Sequence, residues 1–544
     1  MNLKIKVPIL KELVKTHKRQ FMEDALRYKD DSRTLEIEAE RFTDSEIDAL
    51  LDIAQEHGET ALARQIKTYM LLLGDPSGTK VTKLEALQTA LRQFIGETEH
   101  KWLFRGSSEG QMLPYYVTDI AYVPGQPHYP AHVVVNLGSD YRGEKKEERI
   151  HYWRDDLKGG KLVSDVLKQK QYFRETPALV DAYLCEMDKY SEICSRTGAQ
   201  FLATGFATIS DGRWWSTSLQ SMERDGIPTR VVMDDQFERK QSRSSRSSRE
   251  STIISDLYWT KRRNKDDDED EQESGGVALP VHPFLQVYDL REYRYVEIHV
   301  TNLASYVYDE TIGDKLVLPK PKRDLIDILV RSSGEVLEDI VRGKTGGVIV
   351  IATGSPGTGK TLSAEVFAEI IHKPLYTVQC SQLGTNPDAL EKELTAVLER
   401  ATRWQAILLL DEADVYVKAR GNNIKQNAIV GVFLRVLEYY RGVLFMTSNR
   451  ETEIDDAIMS RATAWIRYEK PEPEELVRIW TVLAEQFNIV LAPNQVEELL
   501  TMFPNISGRN VKNLLKLAGL LALNQERLVT PELIQYVSQF QDLR

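Results

Sequence analysis

Gly354-Ser355-Pro356-Gly357-Thr358-Gly359-Lys360-Thr361 is a complete G-x-x-x-x-G-K-[ST] loop, set between the strand-like run Val348-Ile349-Val350-Ile351 and a helix-like stretch opening near Lys360. Glycines let the backbone turn tightly and aim N–H groups at phosphate oxygens, and a helix N-terminus adds a favourable dipole. Lys360 supplies a point charge, and the Thr361 hydroxyl can hold Mg²⁺. The alternative is a glycine-rich turn that holds nothing, and the strand–loop–helix setting weighs against it. The spacing therefore predicts a nucleoside triphosphate site.

Downstream, Ala406-Ile407-Leu408-Leu409-Leu410-Asp411-Glu412 is an apolar run of buried parallel-strand character that ends in two carboxylates. Asp411 at the strand end can join a Mg²⁺ shell, and Glu412 is placed to orient and deprotonate an attacking water. A solvated acidic turn is the competing reading. A third strand-like run, Val443-Leu444-Phe445-Met446-Thr447, ends at Ser448-Asn449-Arg450. Asn449 would lie near the γ-phosphate, although Asn at a strand end is commonly a turn residue. Beyond it, Asp455-Asp456-Ala457-Ile458-Met459-Ser460-Arg461 offers an arginine able to reach a neighbouring subunit's nucleotide; a surface salt bridge is the alternative.

In these motifs the chain resembles the AAA+ ATPases over about residues 315–544: Gly354–Thr361 matches the first nucleotide motif, Ile407–Glu412 the second, Asn449 the first sensor and Arg461 the arginine finger. It looks most like a bacterial and fungal group within that superfamily that carries a distinct N-terminal region. The shared pattern includes Pro374-Leu375-Tyr376, Leu383-Gly384-Thr385, Asp411-Glu412-Ala413-Asp414-Val415 and Val432-Phe433-Leu434-Arg435. The resemblance implies an α/β fold, a P-loop doubly wound parallel sheet with a C-terminal helical lid, preceded by helical and mixed α/β N-terminal regions. It implies ATP and Mg²⁺ as cofactors, with Thr361 and Asp411 on the metal. Gly354, Ser355, Pro356, Gly357, Thr358, Gly359, Lys360, Thr361, Leu362, Asp411 and Arg509 would bind the nucleotide, and Glu412, Asn449 and Arg461 would be catalytic. It also implies ring assembly, usually as hexamers, because the finger works in trans.

Three positions depart from the family pattern. Ala464 stands where a second finger arginine would fall. Leu383-Gly384-Thr385-Asn386-Pro387 lacks the aromatic tip with which threading unfoldases grip polypeptide. Arg509, in Ser507-Gly508-Arg509-Asn510, replaces an alanine and reads equally as a second sensor on ATP or as a helix-cap arginine.

The rest of the chain must position this machinery. Its 544 residues allow about three to four domains. The predicted divisions are a helical N-terminal region over 1–100, a mixed α/β domain over 101–236, a linker over 237–279, a β-hairpin over 280–314, the ATPase core over 315–470 and a helical lid over 471–544. The linker carries Gln241-Ser242-Arg243-Ser244-Ser245-Arg246 and an acidic run from Asp266 to Glu273, too polar to repay its ordering entropy. A phosphorylated or RNA-contacting tract is the sharper alternative there. His128 and His132 make a poor metal pair, because Pro130 breaks the helix that would align them. Trp214-Trp215 reads as packing rather than a stacking platform.

A net charge of −12 disfavours nucleic acid as the main partner. With 42% hydrophobic and 28% charged residues, usage is that of a globular protein. No apolar run approaches the ~20 residues of a membrane span, and the N-terminus lacks a signal-peptide core, so a cytoplasmic location is expected. The expected activity is ATP hydrolysis coupled to remodelling of a protein client, received directly or through an adaptor by the N-terminal region. A nucleotide-gated sensor or scaffold, for instance in host defence, is the alternative, and a nucleic-acid motor comes third.

Overall fold

A computed structural model describes residues 2–541, except 28–29, 31–32, 73–77, 108, 128, 211–216, 225, 235–277, 332–346, 385, 421–423, 439 and 451–453. His128, Trp214, Trp215 and nearly all of the expected linker lie outside the described residues.

The sheet that carries the phosphate loop is fully parallel. Its strands are β1 (Val348–Gly354), β2 (Leu375–Gln379), β3 (Ile407–Asp411), β4 (Val443–Ser448) and β5 (Ala464–Tyr468), in the order β2-β3-β4-β1-β5. Both faces of β3 and β4 are covered, which is why their sequences are continuous aliphatic runs rather than alternating ones. The helix Lys360–Ile370 packs Ala364, Phe367 and Ala368 beneath one face, against Val350, Leu409 and Phe445. On the other face, Pro387–Trp404 and Ile424–Leu437 bury Leu394, Leu398, Phe433 and Leu437 against Leu408, Leu410 and Leu444. The result is a doubly wound α/β layer. Four helices follow, Pro473–Gln486, Pro493–Met502, Gly508–Asn524 and Pro531–Ser538, with a separate core around Trp480, Leu499, Leu514 and Ile534. Three of them begin with Pro in the first turn, where a missing N–H costs nothing.

The N-terminal half is organised around sheets that the sequence only partly announces. Residues 2–72 form a small unit in which the antiparallel pair Asn2–Lys6 and Thr34–Glu38 packs with four helices, so the expected helical region contains strands as well. The helix Leu84–Gly96 packs against the six-stranded sheet that includes Met112–Val123, His132–Tyr141 and Glu144–Trp153. One core therefore spans the expected boundary at residue 100. The helix Pro177–Cys194 lies between that sheet and a second, eight-stranded one.

The hairpin expected at 280–314 does form, from Phe284–Asp289 and Arg294–His299. It is not a free-standing element before the core. Phe284–Asp289 pairs antiparallel with Ile227–Met233, joining Val231 to Asp289 and Met233 to Val287. Strands on the two sides of residues 235–277 thus belong to one sheet, held by a shared core of Phe201, Val231, Leu285 and Ile298. Among the described residues, no helix is long and apolar enough to cross a membrane.

This second sheet sits directly on the ATPase layer. Tyr288 is grouped with Tyr376 and Trp404 in one buried cluster, with ring centroids 5.6 and 5.0 Å away. Asp234, 0% exposed, accepts from Arg403 Nε at 2.8 Å and Nη2 at 2.5 Å, and from the Tyr295 hydroxyl at 2.7 Å. Glu369, in the last turn of the helix that follows the phosphate loop, accepts from Arg230 at 3.0 Å and from the Tyr306 hydroxyl at 2.6 Å. Gly198 has no room for a side chain: a Cβ there would lie 2.8 Å from the Trp404 backbone.

Candidate functional site

The loop at the end of β1 turns on glycines held at positive φ: Gly354 at 144°, Gly357 at 82° and Gly359 at 100°. A Cβ on Gly354 would lie 2.0 Å from the Tyr468 carbonyl, so crowding from β5 excludes larger residues. Lys360 opens the next helix and is 7% exposed. Its Nζ donates to the carbonyls of Gly354 at 2.7 Å and Ser355 at 2.9 Å and to Asn449 Oδ1 at 2.9 Å. The loop lysine and the proposed sensor asparagine are thus in direct contact although they lie on different strands' ends.

Thr361 Oγ1 donates to Asp411 Oδ1 at 3.0 Å. A hydroxyl and a carboxylate side by side are hard oxygen donors of the kind Mg²⁺ takes, with its remaining positions left to water and phosphate oxygens. Among the described residues no cluster of three His, Cys, Asp or Glu could hold a metal, so an all-protein cage is absent there. The residues present fit a magnesium ion carried with a nucleotide.

Glu412 has φ +57°, a left-handed conformation that costs a non-glycine residue about 1–3 kcal/mol unless its surroundings fix it. Two bonds do so: its N–H donates to Thr447 Oγ1 at 3.0 Å, and the Ala413 N–H donates to the Thr447 carbonyl at 2.8 Å. Next to it, Asp414 Oδ1 accepts from Ser448 Oγ at 2.5 Å and from the Asn449 N–H at 3.0 Å. Asp414 is therefore tied to the strand that carries Asn449.

Lys360, Thr361, Asp411, Glu412, Thr447 and Asn449 line one cavity of about 470 Å³. Its wall includes Pro356 to Ser363, Asp411, Glu412, Thr447 and Asn449 from the ATPase layer, and Gly508, Arg509 and Lys512 from the lid. The lid touches the loop closely: Arg509 N–H donates to the Gly357 carbonyl at 3.4 Å, and a Cβ on Gly357 would lie 2.7 Å from Arg509 Cβ. An apolar end of the cavity is formed by Leu316, Val317, Leu318, Ile479 and Leu483.

Arg461 stands outside this cavity. It follows the short helix Asp456–Met459, capped by Asp455, which is itself gripped by Arg420 at 2.9 Å. Arg461 Nη1 donates to the Ala457 carbonyl at 3.2 Å and Nη2 lies 3.7 Å from Glu438 Oε2, with the side chain 35% exposed. Every other expected site residue falls at the cavity wall or on the loop that borders it. Sequence reasoning gave Thr447 no role and overlooked Lys512. The signal for the first is a hydroxyl at the end of an otherwise aliphatic strand; the second sits one turn beyond Arg509 on the same helix.

A parallel β2-β3-β4-β1-β5 sheet, a phosphate loop after β1, paired carboxylates after β3 and a helical lid define a P-loop nucleotide-binding domain. Within it, residues 350–470 match the family described as ATPase family associated with various cellular activities (AAA), and this segment is an AAA domain. The 26S proteasome regulatory subunit 4 homolog of Schizosaccharomyces pombe is 28% identical over 196 residues, 33% of this chain and 43% of that protein. Fidgetin-like protein 1 of Drosophila melanogaster is 28% identical over 204 residues, 35% of this chain and 38% of that protein. The chain thus spans under half the length of these curated relatives. A crystal structure of the FIGL-1 AAA domain overlaps at TM-score 0.35 with 20% identity, covering 44% of this chain and 86% of that one.

Proposed function

We propose that this chain binds Mg²⁺–ATP in the cavity between the parallel sheet and the lid, hydrolyses it, and couples the turnover to remodelling of a protein client. The observation that carries the reading is the connected polar set at the strand ends, Lys360 to Asn449 and Thr361 to Asp411. An isolated glycine turn would not bring four such groups from three strands together. In this reading the loop N–H groups and Lys360 hold the β- and γ-phosphates, and Thr361 and Asp411 hold Mg²⁺, which spreads negative charge away from the transferring group. Asn449 orients the attacking water and Glu412 takes its proton. Arg509 reaches the nucleotide from the lid.

Arg461, half-buried and outside the wall of its own cavity, acts on a neighbouring subunit's ATP in a ring, for which a hexamer is the natural count. The proteasome-regulatory and fidgetin-like relatives support remodelling as the use of this turnover. Client or adaptor recognition is assigned to the sheets of the N-terminal half, because Leu383–Pro387 offers no bulky side chain to wedge against a polypeptide. The test combines two variants. Lys360→Ala should lose most affinity for a fluorescent ATP analogue. Glu412→Gln should keep that affinity while phosphate release falls by about 10²–10⁴-fold. Undiminished binding by the first variant removes the site, and undiminished phosphate release by the second moves the base elsewhere.

A further inference from the structure

Asp411 Oδ1 accepts two hydroxyls, Thr361 Oγ1 at 3.0 Å and Thr447 Oγ1 at 2.5 Å. The same Thr447 oxygen accepts the Glu412 N–H at 3.0 Å. One hydroxyl therefore joins the side chain of the first carboxylate residue to the backbone of the second. Thr447 is 2% exposed and belongs to β4, whose register pairs Leu410 with Met446, so its position is set by the sheet rather than by a loop. A group that donates in one direction and accepts in the other is required there, and a hydroxyl is the smallest side chain that does both.

We propose that Thr447 is a positioning residue for the hydrolysis assigned above: it fixes the plane of the Asp411 carboxylate for Mg²⁺ and holds Glu412 in its left-handed conformation, so that both carboxylates face the γ-phosphate. The proposal rests on the ATP-hydrolase reading. Thr361 alone cannot serve, because its hydroxyl is the one that turns to the metal when nucleotide binds. With Thr361 so engaged, Thr447 is, among the described residues, the hydroxyl left to orient Asp411. Partners of metal-ligating carboxylates typically change metal affinity or activity by about 10–100-fold when removed.

The experiment uses the full chain with Thr447→Val, which keeps the branched shape without the hydroxyl, Thr447→Ala as a second deletion of the same group, and Thr447→Ser, which restores it. A fluorescent ATP analogue is titrated in EDTA and in Mg²⁺, and steady-state hydrolysis is followed alongside. Valine and alanine should leave affinity in EDTA unchanged, reduce the Mg²⁺-dependent gain in affinity by about 10–100-fold and lower kcat by a similar factor. Serine should recover both. A packing role alone would lower affinity in EDTA and in Mg²⁺ together, and that result overturns the proposal. So does a full Mg²⁺-dependent gain with wild-type kcat in the valine variant. Lys360→Ala in the same titration separates the two levels: if it binds as the wild type does, the ATP reading itself falls and this proposal falls with it.

Discussion

Replacing Arg403 by methionine tests how firmly the N-terminal half is joined to the ATPase layer. Asp234 is 0% exposed and its carboxylate takes two bonds from Arg403, at 2.8 and 2.5 Å, so the substitution leaves a buried negative charge to which the Tyr295 hydroxyl still donates at 2.7 Å. Removing one partner of a buried pair costs about 3–5 kcal/mol, whereas an exposed pair is worth about 0–1 kcal/mol. A chain with several cores does not unfold in one step, so a single global value is the wrong measure. Hydrogen exchange read on the helix Pro387–Trp404 reports the local opening directly. Protection there should fall by about two to four powers of ten, at about 1.4 kcal/mol for each. Asp234→Asn combined with Arg403→Met should cost less than Arg403→Met alone, because the uncompensated charge is gone. A loss below one power of ten in the single variant would refute the reasoning and make the contact an ordinary surface pair.

Burial raises Glu186 to about 7, against the opposing pull of Arg64 and Lys189. A carboxyl raised in the folded state makes the fold weaker as pH climbs from the unfolded value near 4.5 through about 7, so Glu186→Gln should flatten the decline of local stability between pH 5 and 7, read as hydrogen-exchange protection of the helix Pro177–Cys194 corrected for the intrinsic pH dependence of exchange; an unchanged slope counts against it. Gly357→Ala should weaken binding of an ATP analogue and speed its release, since the new Cβ meets Arg509 Cβ at 2.7 Å and φ is +82°; wild-type release kinetics would show that the lid does not need this contact. Arg461→Ala should bind nucleotide normally and lose hydrolysis by about 10³–10⁵-fold. Mixing it with Lys360→Ala subunits should restore some turnover, and no recovery despite co-assembly would place its action in cis.

The parallel layer was legible because its strands are buried on both faces. Ile407 to Leu410 and Val443 to Met446 read as strands without any partner in view, and the chemistry stands at their ends. Lys360, Thr361, Asp411 and Asn449 could be picked out because each residue type is demanded at a fixed place beside such a strand. What escaped is what depends on distant pairing. Asp234 and Arg403 are separated by 169 positions, and nothing local to either marks the other. The same holds for the pairing of Ile227–Met233 with Phe284–Asp289, which places the 280–314 hairpin in a sheet begun much earlier. Thr447 escaped for a different reason: a threonine at the end of a strand is ordinary, and only its two hydrogen bonds give it meaning.

The sheet that closes across residues 235–277 also decides where the protein can be cut. A fragment beginning at residue 237 keeps Phe284–Asp289 but loses Ile227–Met233, and with it the neighbour that occupies that strand's outer hydrogen bonds. It would present an open, apolar edge bearing Leu285 and Val287, both 0% exposed in the intact chain, and such edges recruit other chains. Failure of that fragment to behave would say nothing about client recognition. A cleaner division falls after Leu303–Ser305, the last strand of the same sheet, and even there Tyr376 and Trp404 lose Tyr288, and Glu369 loses Arg230 while keeping Tyr306. Soluble expression of the ATPase layer by itself then calls for polar substitutions at the uncovered aromatic positions.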